Sequence, residues 1–164
     1  MKQLLAALLF SIIAAPCSGQ NVQLEQKHGI RDIKLGTPRS AYADLYRVPS
    51  KIKCGERYRR KNENLFIGGA RVENIQYLYI DNALSGIYVF FDNDKDLHAV
   101  MRALRGLYGM PVLSEDSTQI HWPAVTFHIS AMTSPRSLSY VINDFPQKCE
   151  AIERRTLNGL RKEL

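Results

Sequence analysis

The clearest repeat of apolar positions in the chain lies between residues 92 and 111. Apolar side chains recur there at intervals of three and four residues, the spacing of one face of an α-helix. These positions are Leu97, Val100, Met101, Leu104, Leu107 and Tyr108. Acidic residues precede the stripe, Gly109 suits the left-handed position past a helix end, and Pro111 stops a helix. The pattern predicts a helix over this segment.

Two weaker apolar patterns predict two more helices. The first spans residues 37–47 and starts at Thr37 or Pro38, because proline is favoured at the first helical position. Its inner face would consist of Ala41, Tyr42, Leu45 and Tyr46. The second spans residues 149–161 and would form a C-terminal helical tail. Its apolar side would consist of Ile152, Leu157 and Leu160.

Alternating apolar and polar positions, and runs of β-branched and aromatic residues, predict antiparallel strands. The predicted strands are 51–60, 65–67, 72–80, 84–91, 117–122, 125–131 and 138–142. Asp81 and Asn82 have the chemistry of a hairpin turn between two of them. In the later hairpin, the inward residues are Ile120, Trp122, Phe127 and Ile129. The outward residues are His121, Thr126, His128 and Ser130.

The predicted order is helix, strands, helix, strands and a helical tail. It contains two helix-then-strands units, which begin near Thr37 and Asp94. Helices packed on an antiparallel sheet give an α+β two-layer sandwich. We expect residues 20–164 to form a single domain of this kind.

Residues 1–19 have the composition of a secretory signal peptide. Lys2 provides the positive start, an uncharged apolar run of about twelve residues follows, and small residues lead to cleavage near Gly19. The run is too short to anchor the chain across a bilayer. A lipid anchor on Cys17 is less favoured, because Pro16 precedes that cysteine. The sequence therefore predicts a periplasmic or secreted protein.

Two cysteines, Cys54 and Cys149, remain after removal of residues 1–19. An even pair of cysteines in an exported chain predicts one disulfide. Neither cysteine belongs to a Cys/His cluster with zinc-ligand spacing. We therefore expect a disulfide, no metal and no cofactor.

The positive charge of the chain is concentrated early in the predicted domain. Residues 20–61 carry 11 basic and 4 acidic side chains, whereas residues 62–147 carry 5 and 9. The candidate binding residues here are Lys51, Lys53, Arg57, Tyr58, Arg59, Arg60 and Lys61. The cations can bind phosphates or carboxylates, and the tyrosine can offer a stacking face.

An exported chain does not meet nucleic acid as its usual ligand, so the basic segment indicates a different partner. We expect it to bind a protein or an anionic component of the cell envelope, with an anionic membrane surface as an alternative. Protection of a sheet edge against aggregation explains the same cations without any ligand.

His121 and His128 are the other candidate binding residues. Strand alternation places both on one sheet face, where two imidazoles can bind a metal ion or share a proton. A metal-dependent or acid–base hydrolase is therefore an alternative function, although a solvated polar face explains the same residues. We predict no catalytic residues, because no serine lies in a G-x-S-x-G turn and neither mature cysteine has a nearby histidine.

Two short motifs support a non-enzymatic interpretation. The segment IKLGTPRSAYADLY, residues 33–46, resembles the helix entry of small bacterial envelope modules. These are the SmpA/OmlA-type assembly lipoproteins and the β-lactamase-inhibitor-protein fold. The segment LRGLYGMP, residues 104–111, resembles their helix exit. The resemblance implies an exported binding module that acts as an inhibitor, an immunity-type factor or an envelope-assembly factor, and it transfers no catalytic residue.

Overall fold

The computed structural model describes residues 26–27, 29–115 and 119–163, with side chains to residue 158. Its centre is an antiparallel sheet of eight strands in the order β3-β4-β7-β8-β12-β11-β10-β9. These strands are β3 (Leu45–Val48), β4 (Glu56–Arg60), β7 (Asn74–Ile80), β8 (Ala83–Phe90), β9 (Val112–Leu113), β10 (Gln119–Pro123), β11 (Phe127–Thr133) and β12 (Arg136–Ile142). Two small hairpins consist of β1 (Gly29–Ile30), β2 (Ile33–Lys34), β5 (Phe66–Ile67) and β6 (Ala70–Arg71). The helices are α1 (Asp94–Tyr108) and α2 (Phe145–Glu163).

The predicted helix in the middle of the chain is confirmed as α1. Its buried residues are Leu97, Val100, Met101 and Leu104. The Asn93 side chain accepts a hydrogen bond from the backbone N–H of Asp96 at 2.9 Å, and Gly109 follows the helix with a φ of 78°. Gly109 therefore ends the helix as the sequence predicts, and the Asn93 cap is an addition to the predicted acidic start.

One face of the sheet packs against α1 and forms the main core. Strand register aligns a row of large side chains across the six central strands on this face: Tyr58, Tyr77, Ile87, Tyr140, Ile129 and Trp122. All six are buried. The predicted turn between β7 and β8 is also confirmed, since Asp81 and Asn82 have φ angles of 47° and 65°, as a type I′ turn requires.

The helix predicted at residues 37–47 is wrong. A single 3-10 turn, Arg39–Ala41, is followed by the edge strand β3. The backbone N–H of Gly36 donates to Leu84 O at 2.7 Å, and Leu84 N–H donates to Thr37 O at 3.0 Å. These bonds pair the start of the segment with β8. Pairing within the sheet therefore overrides the local helical pattern, and the expected two helix-then-strands units do not form.

The strand predicted at residues 51–60 is shorter, and its partners differ from those expected. Residues 49–55 form a loop before β4, which pairs with β3 and β7 rather than with β5. The later strands match the prediction closely, although residues 117 and 118 lie outside the described part. The chain therefore has the predicted α+β fold in its broad class. Its sheet is larger than we expected for a two-layer sandwich with three helices.

The C-terminal helix begins four residues earlier than predicted and lies on the other side of the sheet from α1. Cys54 and Cys149 form the predicted disulfide, with an Sγ–Sγ distance of 2.02 Å. A β-carbon on Gly55, next to this disulfide, would lie 2.9 Å from Leu78 Cδ1 and 3.2 Å from Ile80 Cγ1. Because Leu78 and Ile80 point away from the α1 face, the disulfide ties α2 to the opposite face.

Residues 1–19 and Cys17 lie outside the described residues, so the signal peptide stays a prediction. Within the described part of the chain, no helix has both the length and the apolar character needed to cross a bilayer.

Candidate binding surface on the open sheet face

The sheet face opposite α1 carries a band of polar side chains, which we call the polar face. Register and strand alternation place eight polar residues on it: Arg57, Arg59, Gln76, Tyr88, Ser139, Ser130, His128 and His121. Seven of them are partly exposed, and Ser130 is buried. The structure therefore brings the predicted basic segment and the predicted histidines onto one surface.

Arg57 is held in place by two neighbours on this face. Its Nη1 donates to Gln76 Oε1 at 2.7 Å, and its Cζ lies 4.9 Å from the centroid of the Tyr88 ring. The ring has room to lean over the sheet because Gly86 has no side chain; a β-carbon there would lie 3.0 Å from Tyr88 Cε2. Burial raises the pKa of Tyr88, and the neighbouring Arg57 opposes this shift. The guanidinium of Arg57 is therefore oriented before any ligand arrives.

Arg57 and Arg59 lie two residues apart on the same face of β4, and both are partly buried. The Nε atom of each is buried, and no described residue offers it a hydrogen bond. Among the described residues, no carboxylate lies within 4.0 Å of either guanidinium. Two adjacent cations are thus partly desolvated and are not neutralised by any described carboxylate, an arrangement that favours the binding of an anion.

The other arginines of this region are neutralised. Arg60 Nε lies 2.7 Å from Asp44 Oδ2, and its Nη1 lies 3.5 Å from Asp32 Oδ2. The hydrogen bond to Asp44 is the main cause that raises the pKa of Arg60. Arg47 Nη2 lies 3.2 Å from Glu56 Oε1. Strand alternation in β4 therefore places Arg60 on the side that has carboxylate partners, and it places Arg57 and Arg59 on the polar face, where no described carboxylate is near.

The three lysines of the basic segment are exposed around these arginines. Lys53 lines a cleft of about 490 Å³ between β3, β4 and the loop 49–55, together with Arg47 and Arg57. Lys61 lines a smaller cleft of about 180 Å³ beside Arg59 and Tyr46. Lys51 lies in the loop 49–55. Lys53 and Lys61 add positive potential beside Arg57 and Arg59, and Glu63 and Glu73, which line the same cleft as Lys61, reduce it there.

Tyr58, which the sequence offers as a stacking face, is not available to a ligand. It is only 6% exposed, its hydroxyl donates to Glu56 Oε2 at 2.6 Å, and its ring makes an edge contact with Tyr79 at 5.5 Å. Burial is the main cause that raises the pKa of Tyr58.

Sequence reasoning missed Gln76 and Tyr88 as the residues that support Arg57. Their outward positions follow from strand alternation in β7 and β8, but their proximity to Arg57 depends on the strand order.

The two histidines are close neighbours at the other end of the polar face. Their ring centroids lie 6.1 Å apart. His121 Nδ1 is 2.8 Å from Ser130 Oγ, and His128 Nδ1 is 3.0 Å from Asn143 Oδ1. Four strand spacings of about 4.8 Å separate β4 from β11, so roughly 19 Å lie between Arg57 and His128. The basic and histidine parts share a surface but not a single small-molecule pocket.

No family model, no curated protein and no solved structure matches this chain. The resemblance to envelope modules therefore stays a prediction. Residues 104–111 do form a helix end, as that resemblance implies, whereas residues 33–46 contain β2, the 3-10 turn and the start of β3 instead of a helix entry.

Proposed function

We propose that the chain is an exported, non-enzymatic binding module that recognises acidic groups of a protein partner through Arg57 and Arg59. The observation that carries this proposal is the pair of partly buried guanidiniums on the polar face, with no carboxylate of the described residues near them. An incoming carboxylate would supply the counter-charge that no described residue provides and acceptors for the remaining guanidinium donors, and Arg binds carboxylates in a bidentate manner.

Several features favour a protein partner over a flat membrane surface. The two guanidiniums are partly buried, and Arg57 is fixed by Gln76 and Tyr88, so its donors have defined directions. The polar face extends over about 19 Å between β4 and β11, which suits a folded partner. Exposed lysines beside the two arginines, Lys53 and Lys61, would steer an acidic partner toward them.

Export supports the same proposal from another direction. Residues 1–19 read as a signal peptide, and the disulfide between Cys54 and Cys149 is of the kind that persists in oxidising compartments. The partner would then be a periplasmic or extracellular protein. An inhibitor, an immunity-type factor and an envelope-assembly factor, the roles that the resemblance implies, all act by this type of contact.

The proposal can be tested with a double variant, Arg57→Gln with Arg59→Gln. An oligo-glutamate peptide serves as the probe, and vesicles of phosphatidylcholine with phosphatidylglycerol form a second arm. The control is Arg102→Gln with Arg105→Gln, which removes the same charge from exposed positions of α1. We expect the site variant to bind the peptide at least tenfold more weakly at low salt, while the control binds as the wild type does.

Equal losses in both variants would show that net charge alone attracts the peptide, and the proposal would be wrong. Binding to the vesicles but not to the peptide, lost in the site variant, would replace the protein partner with an anionic membrane surface. A wild-type protein that binds neither probe would contradict the proposal. Edge protection, the alternative that the sequence offers, would not replace it, because β4 pairs with β3 on one side and with β7 on the other and is not an edge strand.

A further inference from the structure

The geometry points to a transition-metal site formed by the imidazoles of His121 and His128 on the polar face. The two rings belong to adjacent strands, β10 and β11, and their centroids lie 6.1 Å apart at an interplanar angle of 70°. Each ring has its Nδ1 atom within hydrogen-bond distance of a fixed neighbour. This site is separate from the arginine pair and goes beyond the proposed function.

Asn143 determines the tautomer of His128. The Nδ2 of Asn143 donates to Ala124 O at 2.9 Å and to Val125 O at 3.0 Å. These two bonds fix the orientation of the amide, so its Oδ1 must be the atom 3.0 Å from His128 Nδ1. An amide oxygen only accepts, and His128 Nδ1 therefore carries the proton. In the neutral ring the lone pair is then on Nε2, the atom that would bind a metal ion.

His121 has a comparable support. Its Nδ1 lies 2.8 Å from the hydroxyl of Ser130, the residue directly opposite on β11, and Ser130 is buried. A hydrogen bond from one ring nitrogen to a buried neighbour is the usual outer-shell arrangement of a metal-binding histidine. The Ser130 hydroxyl can accept this bond, in which case Nδ1 of the neutral ring carries the proton and Nε2 is the atom through which His121 would bind the same ion.

The separation of the two rings is compatible with one shared ion. With metal–nitrogen bonds of about 2.0–2.1 Å, the centroids of two imidazoles on one ion lie at most about 6.4 Å apart. The observed 6.1 Å falls within this limit. A tetrahedral angle at the ion would bring the centroids to about 5.2 Å, an approach of about 1 Å that side-chain rotation can supply.

The chemistry of the donors defines the class of ion. Imidazole nitrogen suits Cu²⁺, Ni²⁺ and Zn²⁺ and discriminates against Ca²⁺ and Mg²⁺. No group of three or more His, Cys, Asp and Glu side chains able to hold a metal occurs in the described part of the chain. The remaining coordination positions of the ion would thus be filled by water or by a donor from a bound partner. We expect the affinity to be higher for Cu²⁺ than for Zn²⁺.

The test is a calorimetric titration of the metal-free mature protein with Cu²⁺ and with Zn²⁺. The variants are His121→Gln and His128→Gln, and the control is His98→Gln on the exposed side of α1. We expect one ion per chain, an at least tenfold loss of affinity in each site variant, and no change in the control. Thermal unfolding of each variant establishes that it is folded. Electron paramagnetic resonance of the Cu²⁺ form should show hyperfine splitting from coordinated imidazole nitrogen in the wild type and its reduction in both site variants.

Asn143→Leu provides an independent check, because it leaves both imidazoles in place but removes the acceptor that fixes the tautomer of His128. We expect a smaller loss of affinity in this variant than in His128→Gln. Metal binding that is unchanged in His128→Gln, or that falls equally in His98→Gln, would overturn the inference. The arginine variants should leave the metal titration unchanged. A failure of the inferred metal site can therefore be distinguished from a failure of the proposed binding of an acidic partner.

Discussion

Arg57 lies with its guanidinium carbon 4.9 Å from the centroid of the Tyr88 ring, although the two residues belong to strands separated by β7. This contact reaches across β7 and, with the bond to Gln76, fixes the direction of a cation that no carboxylate of the described residues neutralises. A cation–π contact at a partly exposed site contributes about 0.5–2 kcal/mol. The proposed binding function therefore depends on an aromatic residue outside the basic segment.

Replacing Tyr88 with leucine should weaken binding of the acidic peptide about threefold to tenfold, because Arg57 loses the surface that orients it. The matched control is Tyr88→Phe, which keeps the ring and should bind as the wild type does. Peptide titration at low salt measures both. Equal weakening in the two variants would assign the effect to the hydroxyl instead of the ring.

Reduction of the disulfide should destabilise the protein strongly. The bond between Cys54 and Cys149 closes a loop of 95 residues, for which the chain-entropy model gives about 4–5 kcal/mol of stabilisation. It also holds α2 near Leu78 and Ile80, which are buried. We expect the variant Cys54→Ser with Cys149→Ser to unfold at a clearly lower urea concentration.

The control for this prediction is the wild type measured with and without a reducing agent. Reduced wild type and the serine variant should unfold at the same urea concentration, and the reductant should not affect the variant. A variant as stable as the oxidised wild type would show that packing alone holds α2 on the sheet.

The parts of the fold that could be predicted are those determined by local chemistry. The stripe and caps of α1, the turn at Asp81 and Asn82, and the disulfide all follow from residues whose preferences agree with their surroundings. The segment 37–47 could not be predicted, because its helical pattern competes with hydrogen bonds to Leu84, a residue far away in the chain. Local periodicity contains no information on that pairing.

The candidate site, like the fold, could be predicted only where local chemistry determines it. Charge and alternation identify Arg57, Arg59 and the histidines, but not which cations find a carboxylate partner. That depends on the residues opposite them: Asp44 and Asp32 reach Arg60, and none of the described carboxylates reaches Arg57. The burial of Tyr58 likewise follows from its position in the row of core residues rather than from its sequence neighbours.

Replacing Asn82 with glycine should stabilise the β7–β8 hairpin. Asn82 has a φ of 65° in a turn with two left-handed residues, and Asn-Gly or Asp-Gly pairs are the preferred sequences of such turns. We expect Asn82→Gly to raise the free energy of unfolding by about 0.5–1 kcal/mol and Asn82→Val to lower it by more than that. Urea unfolding compares the two variants with the wild type. A destabilising effect of glycine would show that the asparagine side chain contributes a contact to the turn.

Buried tyrosines should make the protein sensitive to alkaline conditions. Burial raises the pKa of Tyr79 to about 12, and it also raises the pKa values of Tyr77 and Tyr140. In the unfolded chain these hydroxyls ionise near pH 10. A native pKa above the unfolded value means that the native state holds the proton more tightly. The resulting stability is fully present below about pH 10 and is lost as the pH rises toward the native pKa.

Tyr79→Phe separates this effect from other alkaline changes. The hydroxyl of Tyr79 is buried, and no described residue hydrogen-bonds to it, so its removal should be neutral at pH 7 or stabilise the protein by up to about 1 kcal/mol. Between pH 9.5 and 11.5, we expect the free energy of unfolding of the variant to fall less steeply than that of the wild type. Urea unfolding across this range, with tyrosinate absorbance to follow ionisation, provides the measurement. The control is Tyr46→Phe, which removes the hydroxyl of a tyrosine that is 41% exposed. Parallel slopes in all three proteins would exclude Tyr79 as the source of the alkaline sensitivity.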